Sequence, residues 1–397
     1  MNTKPKTIFT GDNLPILRGM NTASVDLIYL DPPFNSNANY AAPIGSEAAG
    51  AEFKDTWTLT DVDIAWLDLI EAKHPQLNRV IHAAMSDSDK SYLIYMATRL
   101  LEMHRVLSET GSIYLHCDPT MSHYLKLVMD AVFGRGNFRN EVVWCYTGPG
   151  SPKMRQFNRK HDIIFWYSKG DKWVFNRDDI RIPHKKPIGA GGTSAKWAKS
   201  ETENLAEKYR KGKIPETWWA DFSPVGRIKT ERVGYPTQKP LALLDRIIKA
   251  SSNAGDIVLD PFCGCATTLV AADRLQRDWI GIDISPKAAE LVVDRIEADQ
   301  GLFQDIIHRT DIPQRTDLGD IPPYNARENK VLLYGEQGGV CNGCGEHFRM
   351  QNFEVDHIIA VSVGGTDHIG NLQLLCGHCN RVKGARGQEY LLSRLSG

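Results

Sequence analysis

The sequence predicts an α/β protein built on a mainly parallel sheet, with a small metal-stapled module after it. Three observations predict this. Short apolar runs, notably Val25–Leu30 and Ile257–Leu259, stop abruptly at Asp-Pro turns, as buried strands do where α/β sheets present their chemistry. Helical periodicities fall between such runs. Four of the eight cysteines form two Cys-x-x-Cys pairs near the end of the chain, a spacing that suits one tetrahedral metal.

Taken in order, the first segment offers strands at Val25–Leu30, Ser112–His116 and Glu141–Tyr146. Tyr92, Tyr95, Met96, Leu100, Met103 and Leu107 recur at helical spacing and end at Gly111. A second helix is expected over Ser122–Phe133, before Gly134. Between Asn35 and Lys90 lies a long insertion, either a lid or a surface decoration with its own helix at Val62–Ile70. Thr147–Gly234 is rich in Gly, Pro, Lys, Arg and Trp, with one clear strand at Asp162–Tyr167. Regular patterning then returns as a helix at Leu241–Ala250, strand Ile257–Leu259, a helix from Thr267, strand Trp279–Ile282 and a helix at Ala288–Ala298. Gly301–Arg327, with Pro313, Pro322 and Pro323 and no long periodic run, reads as a linker.

Bulk properties narrow the class. At 397 residues, 42% apolar and 24% charged, the chain has the composition of an ordinary soluble globular protein of two or three domains. No run approaches the roughly 20 apolar residues that cross a bilayer, and the N-terminus lacks an apolar signal core. A cytoplasmic protein with no membrane partner is expected, and its cysteines are then thiols or metal ligands rather than disulfides. Cys117, Cys145, Cys263 and Cys265 read as reduced core thiols. The net charge of −1 hides an asymmetry: residues 151–240 carry 20 Lys and Arg against 10 Asp and Glu. Phe157, Phe165, Trp166, Tyr167, Trp173, Trp197, Trp218 and Trp219 interleave with that charge. The combination reads as a polyanion-binding region or as a solvated charged face around a small core.

Asp31-Pro32-Pro33-Phe34 supplies a carboxylate, a carbonyl in a proline-stiffened turn and an aromatic face, a set suited to the amino group of an unstacked nucleobase. Asp260-Pro261-Phe262-Cys263-Gly264 is a tight strand-to-helix turn that can approach a cofactor closely. No G-x-G-x-x-G opens a helix, which argues against a nicotinamide dehydrogenase.

DPPF, the basic aromatic segment, YPTQKP, DPFCGCATT and WIGIDIS follow one another in the order of the permuted (β-class) S-adenosylmethionine-dependent DNA amino methyltransferases, and residues 7–300 resemble that family. The resemblance implies a Rossmann-like methyltransferase sheet with an inserted target-recognition region. The expected domains are a catalytic half at 1–146, target recognition at 147–234, a cofactor half at 235–300, the linker at 301–328 and a further domain at 329–397. Asp31 and the Pro32 carbonyl would accept the amine N–H groups, Pro33 would stiffen the turn, and Phe34 would stack on a flipped base. The resemblance further places S-adenosylmethionine at Phe262 and Gly264, with Asp260 near its amino group and Asp283 on its ribose. Asp12 would face the adenine end, and Gln238 and Lys239 the carboxylate end. Ala266 stands where many relatives have Gly, which is tolerable if its φ stays negative. An acidic first residue in the DPPF motif implies adenine N6 as the target; cytosine N4 is the alternative.

Residues 329–397 resemble an HNH (ββα-metal) nuclease domain. Cys341, Cys344, Cys376 and Cys379, with 31 residues between the pairs, suit a structural Zn2+. Asp356-His357 is followed 14 residues later by Asn371 and 9 later by Asn380, the HNH offsets. The resemblance makes His357 the general base, Asp356 and Asn380 the holders of one divalent cation such as Mg2+, and Asn371 a loop brace. Arg381 and Lys383 would contact phosphate; His368 and His378 have no assigned role. The expected whole is a methyltransferase fused to a nuclease acting on double-stranded DNA, as a homodimer if both strands are cut. The alternative is a cytosine enzyme whose zinc module only binds DNA.

Overall fold

The computed structural model describes residues 2–35, 38–41, 46, 48, 52–55, 57, 70, 74–148, 155–184, 210–228, 230–235, 237–300 and 305–395. Nearly half of the 35–90 insertion, the helix expected at 62–70 apart from Ile70, and Trp197 lie outside these residues.

The strands are β1 (Thr7–Thr10), β2 (Val25–Leu30), β3 (Ala38–Ala41), β4 (Glu52–Asp55), β5 (Leu107–Cys117), β6 (Phe138–Cys145), β7 (His161–Ser168), β8 (Trp218–Trp219), β9 (Ile257–Asp260), β10 (Asp278–Asp283), β11 (Ile307–Arg309), β12 (Phe353–His357) and β13 (Leu372–Cys376). Nine of them form one sheet in the order β11-β1-β10-β9-β2-β5-β7-β6-β8. From β11 to β5 all neighbours run parallel, whereas β7 is antiparallel to both β5 and β6.

Alternation along β2 explains why its sequence is apolar throughout. Ile28 and Leu30 enter one buried layer, while Leu27 and Tyr29 enter the layer on the other face. Helices Asp87–Val106 and Ser122–Phe133 cover the first face; Leu241–Ser251, Thr267–Arg274 and Pro286–Gln300 cover the second. The long helix Asp87–Val106 starts where Ser86 accepts the Asp89 N–H at 3.1 Å, and it ends with His104 and Arg105 against its dipole.

Because β2 lies between β9 and β5, the first and second Asp-Pro turns emerge from adjacent strands. Ile28 pairs with Leu259, so Asp31 and Asp260 leave the same edge of the sheet. This is the crevice in which open α/β sheets bind ligands.

Two expectations change. Phe165, Trp166, Tyr167 and Trp219 are buried, with the Trp166 ring stacked on Tyr114 at 5.4 Å, so they build core rather than stacking surface. Phe157, at 97% exposure, and the partly exposed Trp173 and Trp218 face solvent. The stretch expected to be a linker carries an edge strand: β11 pairs with β1, Thr7 opposite Ile307 and Phe9 opposite Arg309. Beyond it the chain is fastened to the N-terminal segment by Asn2 Nδ2 to the Gln314 carbonyl at 2.6 Å. Asn21 Nδ2 donates to Thr316 Oγ1 at 2.8 Å, and the Thr22 N–H donates to Asp317 at 2.9 Å. Its polar, proline-containing sequence hides a strand of only three residues.

The C-terminal unit is the antiparallel pair β12–β13 followed by helix Gly377–Lys383, with its own core of Leu333, Phe353, Leu372, Leu374, Leu375 and Leu391. Its Gly364 lies so close to helix Asn13–Gly19 that an added Cβ would come 2.7 Å from the Pro15 carbonyl.

Candidate functional site

A cavity of about 610 Å³ opens where β1, β2, β9 and β10 end, and Asp12, Asp31, Phe34, Lys239, Asp260 and Asp283 all line it. The sheet register dictates this convergence across more than two hundred residues of chain.

Asp260 ends β9 and is almost fully buried; it accepts the Phe262 N–H at 3.0 Å. Burial pushes its carboxyl up to about 7, against the hydrogen bonds from Thr268 and Phe262. Asp283 ends β10 and joins two turns, accepting the Gly264 N–H at 2.9 Å on one oxygen and the Ser285 N–H at 2.9 Å on the other. Burial pushes this carboxyl up as well. Gly264 sits at φ +48°, and a Cβ there would come 3.0 Å from the Tyr235 ring, so a side chain would disturb the turn. Phe262 packs on the main core near Tyr95. Ala266 departs from expectation: its φ is +67°, in the left-handed region. The turn into helix Thr267–Arg274 demands that conformation, and an alanine holds it at a cost of about 1–2 kcal/mol.

Asp12 caps helix Asn13–Gly19 through the Leu14 N–H at 2.9 Å and takes Arg99 Nη2 at 2.7 Å. Arg99 also donates to Asn13 Oδ1 at 2.6 Å and lies over the Tyr95 ring at 3.4 Å; Asn13 in turn donates to the Pro261 carbonyl at 2.8 Å. Arg99 thus ties the first turn of the chain to the second Asp-Pro turn. An arginine within a helical run gives no sign of this in the sequence.

On the opposite wall Phe34 stacks on His116, centroids 6.1 Å apart at 25°. His116 is fully buried between the Tyr29 hydroxyl (2.8 Å from Nδ1) and Asp162 (3.1 Å from Nε2), and Asp162 also accepts the Tyr146 hydroxyl at 3.1 Å. A histidine inside the apolar strand run Ser112–His116 was the available signal. Asp31 places Oδ2 2.5 Å from Lys239 Nζ. Its Oδ1 is enclosed and has no hydrogen-bond partner among the described residues. Pro32 is buried, and Pro33 is half-buried.

In the C-terminal unit the sulfurs of Cys341, Cys344, Cys376 and Cys379 lie within 4.8 Å of one another. Burial opposes ionisation of Cys341, but N–H groups of Cys376, Cys344 and Gly343 outweigh it and hold the thiol below its ordinary value. His357 Nε2 lies 2.7 Å from Asp367 Oδ1, and the His357 ring packs on Tyr324 at 4.7 Å. Asn371 fastens the intervening loop, donating to the carbonyls of Ile359 (3.0 Å) and Thr366 (2.8 Å) and accepting the Ile359 N–H (2.9 Å). The Asn380 amide donates to Glu354, which shares a strand face with Asp356. Lys383 is buried rather than open to phosphate: its Nζ lies 2.8 Å from Asp356 and 2.6 Å from the His357 carbonyl. Arg381 is exposed, and so is His378.

A family profile described as DNA methylase, of the N6/N4 type, matches residues 25–294. The chain belongs to that DNA methylase family. A second profile, described as HNH endonuclease, matches residues 341–386, giving the methylase a C-terminal HNH domain. The chain is 31% identical to the DNA adenine methyltransferase YhdJ of Escherichia coli (strain K12) over 74% of its length and 83% of the relative's. It is 30% identical to the type II methyltransferase M.HpaI of Haemophilus parainfluenzae over 74% of each chain. Similarity to M.EcaI of Enterobacter cloacae is 29%, covering 58% of this chain and 63% of the relative.

Gln238 and Lys239, expected at the cofactor's carboxylate end, both line the cavity, and both have partners within the protein. Gln238 spends both polar ends on its own loop, accepting the Val233 N–H at 3.1 Å and donating to the Glu231 carbonyl at 2.7 Å. Lys239 Nζ donates to Asp31 Oδ2 at 2.5 Å. Among the described residues no helix of the methylase is long and apolar enough to cross a membrane.

Proposed function

We propose that this methylase transfers a methyl group from S-adenosylmethionine to N6 of an adenine flipped out of double-stranded DNA, and that its HNH domain cuts DNA. The observation that carries the first part is the pairing of β2 with β9, which brings Asp31 and Asp260 to one cavity. Asp260, a buried carboxyl with no cation beside it among the described residues, fits the ammonium of the cofactor. Asp283 at the end of β10 fits its ribose, the exposed Ile284 and Asp12 at the rim fit its adenine, and Phe262 and Gly264 line the bend between. Bound S-adenosylmethionine supplies an electrophilic methyl group.

The chain's own residues prepare the amine. An exocyclic amine conjugated to its ring is a poor nucleophile. Accepting its N–H groups at the Asp31 carboxylate and at the Pro32 carbonyl turns the nitrogen lone pair out of conjugation and offsets the charge that develops there. Phe34, backed by His116, stacks on the base, worth about 1–3 kcal/mol. Pro33 keeps the turn rigid, so these groups are positioned in advance. Adenine is favoured by the acidic residue of the motif and by the relative named as a DNA adenine methyltransferase.

In the HNH domain the four sulfurs fit Zn2+, which staples a core too small to stand alone. Asp356, Asn380 and Glu354 offer the oxygen donors that a hard divalent cation such as Mg2+ takes. His357, held through Nε2 by Asp367, keeps Nδ1 as the atom to accept a proton from water.

Methyl transfer from labelled cofactor to duplex DNA, with sequencing of modified bases, tests the first activity. It should be lost in Asp31→Ala, and N4-methylcytosine in place of N6-methyladenine would refute the choice of base. Plasmid incubated with magnesium tests the second: the parent chain nicks or cuts, and His357→Ala does not. A parent chain that leaves plasmids bearing its site intact would reduce the HNH domain to DNA binding.

A further inference from the structure

Lys239 is buried, and among the described residues its ammonium makes three contacts: Asp31 Oδ2 at 2.5 Å, the Thr237 carbonyl at 3.3 Å, and the Phe34 ring at 5.3 Å from its centroid. Two of the three belong to the motif proposed to grip the target amine. We infer that Lys239 is a positioning residue for that motif: its ammonium pins the Asp31 carboxylate through Oδ2 and fixes the orientation in which Asp31 meets the amine N–H. The inference rests on the methyl-transfer reading and names a residue within it.

The loop before Lys239 is built to hold this geometry. Gln238 staples it at Val233 and Glu231. Glu231 caps the following helix by accepting the Leu241 N–H at 3.0 Å. Thr237, a β-branched residue, sits at φ +62°, a conformation retained only where the surroundings over-determine it. The strain falls two residues before the lysine and aims it across the cavity.

Charge supports the same assignment. Asp31 and Asp260 leave adjacent paired strands, and their mutual repulsion contributes to the raised position of Asp260. An ammonium on Asp31 offsets that repulsion and leaves Asp260 as the carboxylate for the cofactor's ammonium. A charge-assisted bond shielded from water fixes orientation far better than an exposed pair does.

The test compares Lys239→Met and Lys239→Arg in the full chain. Cofactor affinity is measured by calorimetry without DNA, and kcat and KM for DNA are measured at saturating cofactor. In Lys239→Met the cofactor Kd should stay within about threefold of the parent while kcat falls about 100-fold, the scale of a misplaced catalytic group. Lys239→Arg should recover at least about a tenth of the parent kcat, since it restores the charge. A cofactor Kd raised about tenfold or more in Lys239→Met overturns the inference and assigns the lysine to the cofactor's carboxylate end, whatever the turnover. A kcat equal to the parent's overturns it too. If Lys239→Met fails to give a cooperative melt, Lys239→Gln takes its place with the same expectations. A parent chain that binds the cofactor yet methylates no DNA refutes the methyl-transfer reading itself, a separate result.

Discussion

Asp367 Oδ1 stands 2.7 Å from His357 Nε2, while its other oxygen accepts the Tyr324 N–H at 3.0 Å. One carboxylate therefore orients the proposed base of the nuclease and grips the segment arriving from the methylase domain. Replacing it with alanine frees the imidazole to rotate and to change tautomer. Asp367→Ala should lower plasmid nicking by at least about tenfold while metal analysis still finds one zinc per chain. Nicking at the parent rate would show that the contact does not orient the base.

Asp260 gives a pH signature. Its folded-state carboxyl is pushed up to about 7 by burial, above its unfolded value of 3.8. The folded cofactor-free protein thus binds an extra proton between roughly pH 4 and 7, so this group contributes stability as pH falls through 7 and costs stability above it. Asp260→Asn removes the charge and should raise the melting temperature at pH 8 more than at pH 5. Cofactor affinity should follow the opposite course, weakening below about pH 7 in the parent because the ammonium needs the carboxylate. Calorimetry at pH 6 and pH 8 measures this, and equal affinities would count against an Asp260–ammonium contact.

Ala266 holds φ +67° at the entry to helix Thr267–Arg274. Glycine reaches that conformation without penalty, although it makes the unfolded chain more flexible. Ala266→Gly should therefore stabilise the methylase domain by up to about 1 kcal/mol. A denaturant midpoint that falls would mean that the methyl group contributes more in packing than its backbone costs.

The sulfur frame of Cys341, Cys344, Cys376 and Cys379 belongs to a small core separate from the two layers of the large sheet. Cys376→Ser, or strong chelation, should release zinc and abolish nicking while labelled methyl transfer continues. Loss of both activities together would show that the methylase domain needs the folded HNH domain.

Much of this was legible in the chain. β2, β7, β9 and β10 were visible because strands buried on both faces must be apolar at every position. Helix Ser122–Phe133 was visible from its periodicity and the Gly134 stop. Both Asp-Pro motifs lie at strand ends, where turn chemistry is distinctive. What escaped depends on tertiary pairing. Ile307–His308–Arg309 is too short and too polar to show a period, yet it completes the sheet edge. Lys239 meets a carboxylate 208 residues away, and Arg99 bridges two turns from the middle of a helix. Asp367 lies in a loop at no motif offset. The sign of φ at Ala266 is set by a turn whose geometry the residue type does not announce.

β11 and the segment after it carry one last consequence. Because the chain between the methylase sheet and the HNH domain is laid down along β1 and buttoned to Asn2, Asn21 and Thr22, the HNH domain is mounted like a fixed blade rather than a tool on a cord. If both proposed activities hold, the interval along DNA between a modified base and a broken phosphate becomes a built-in ruler, with its length set by protein geometry.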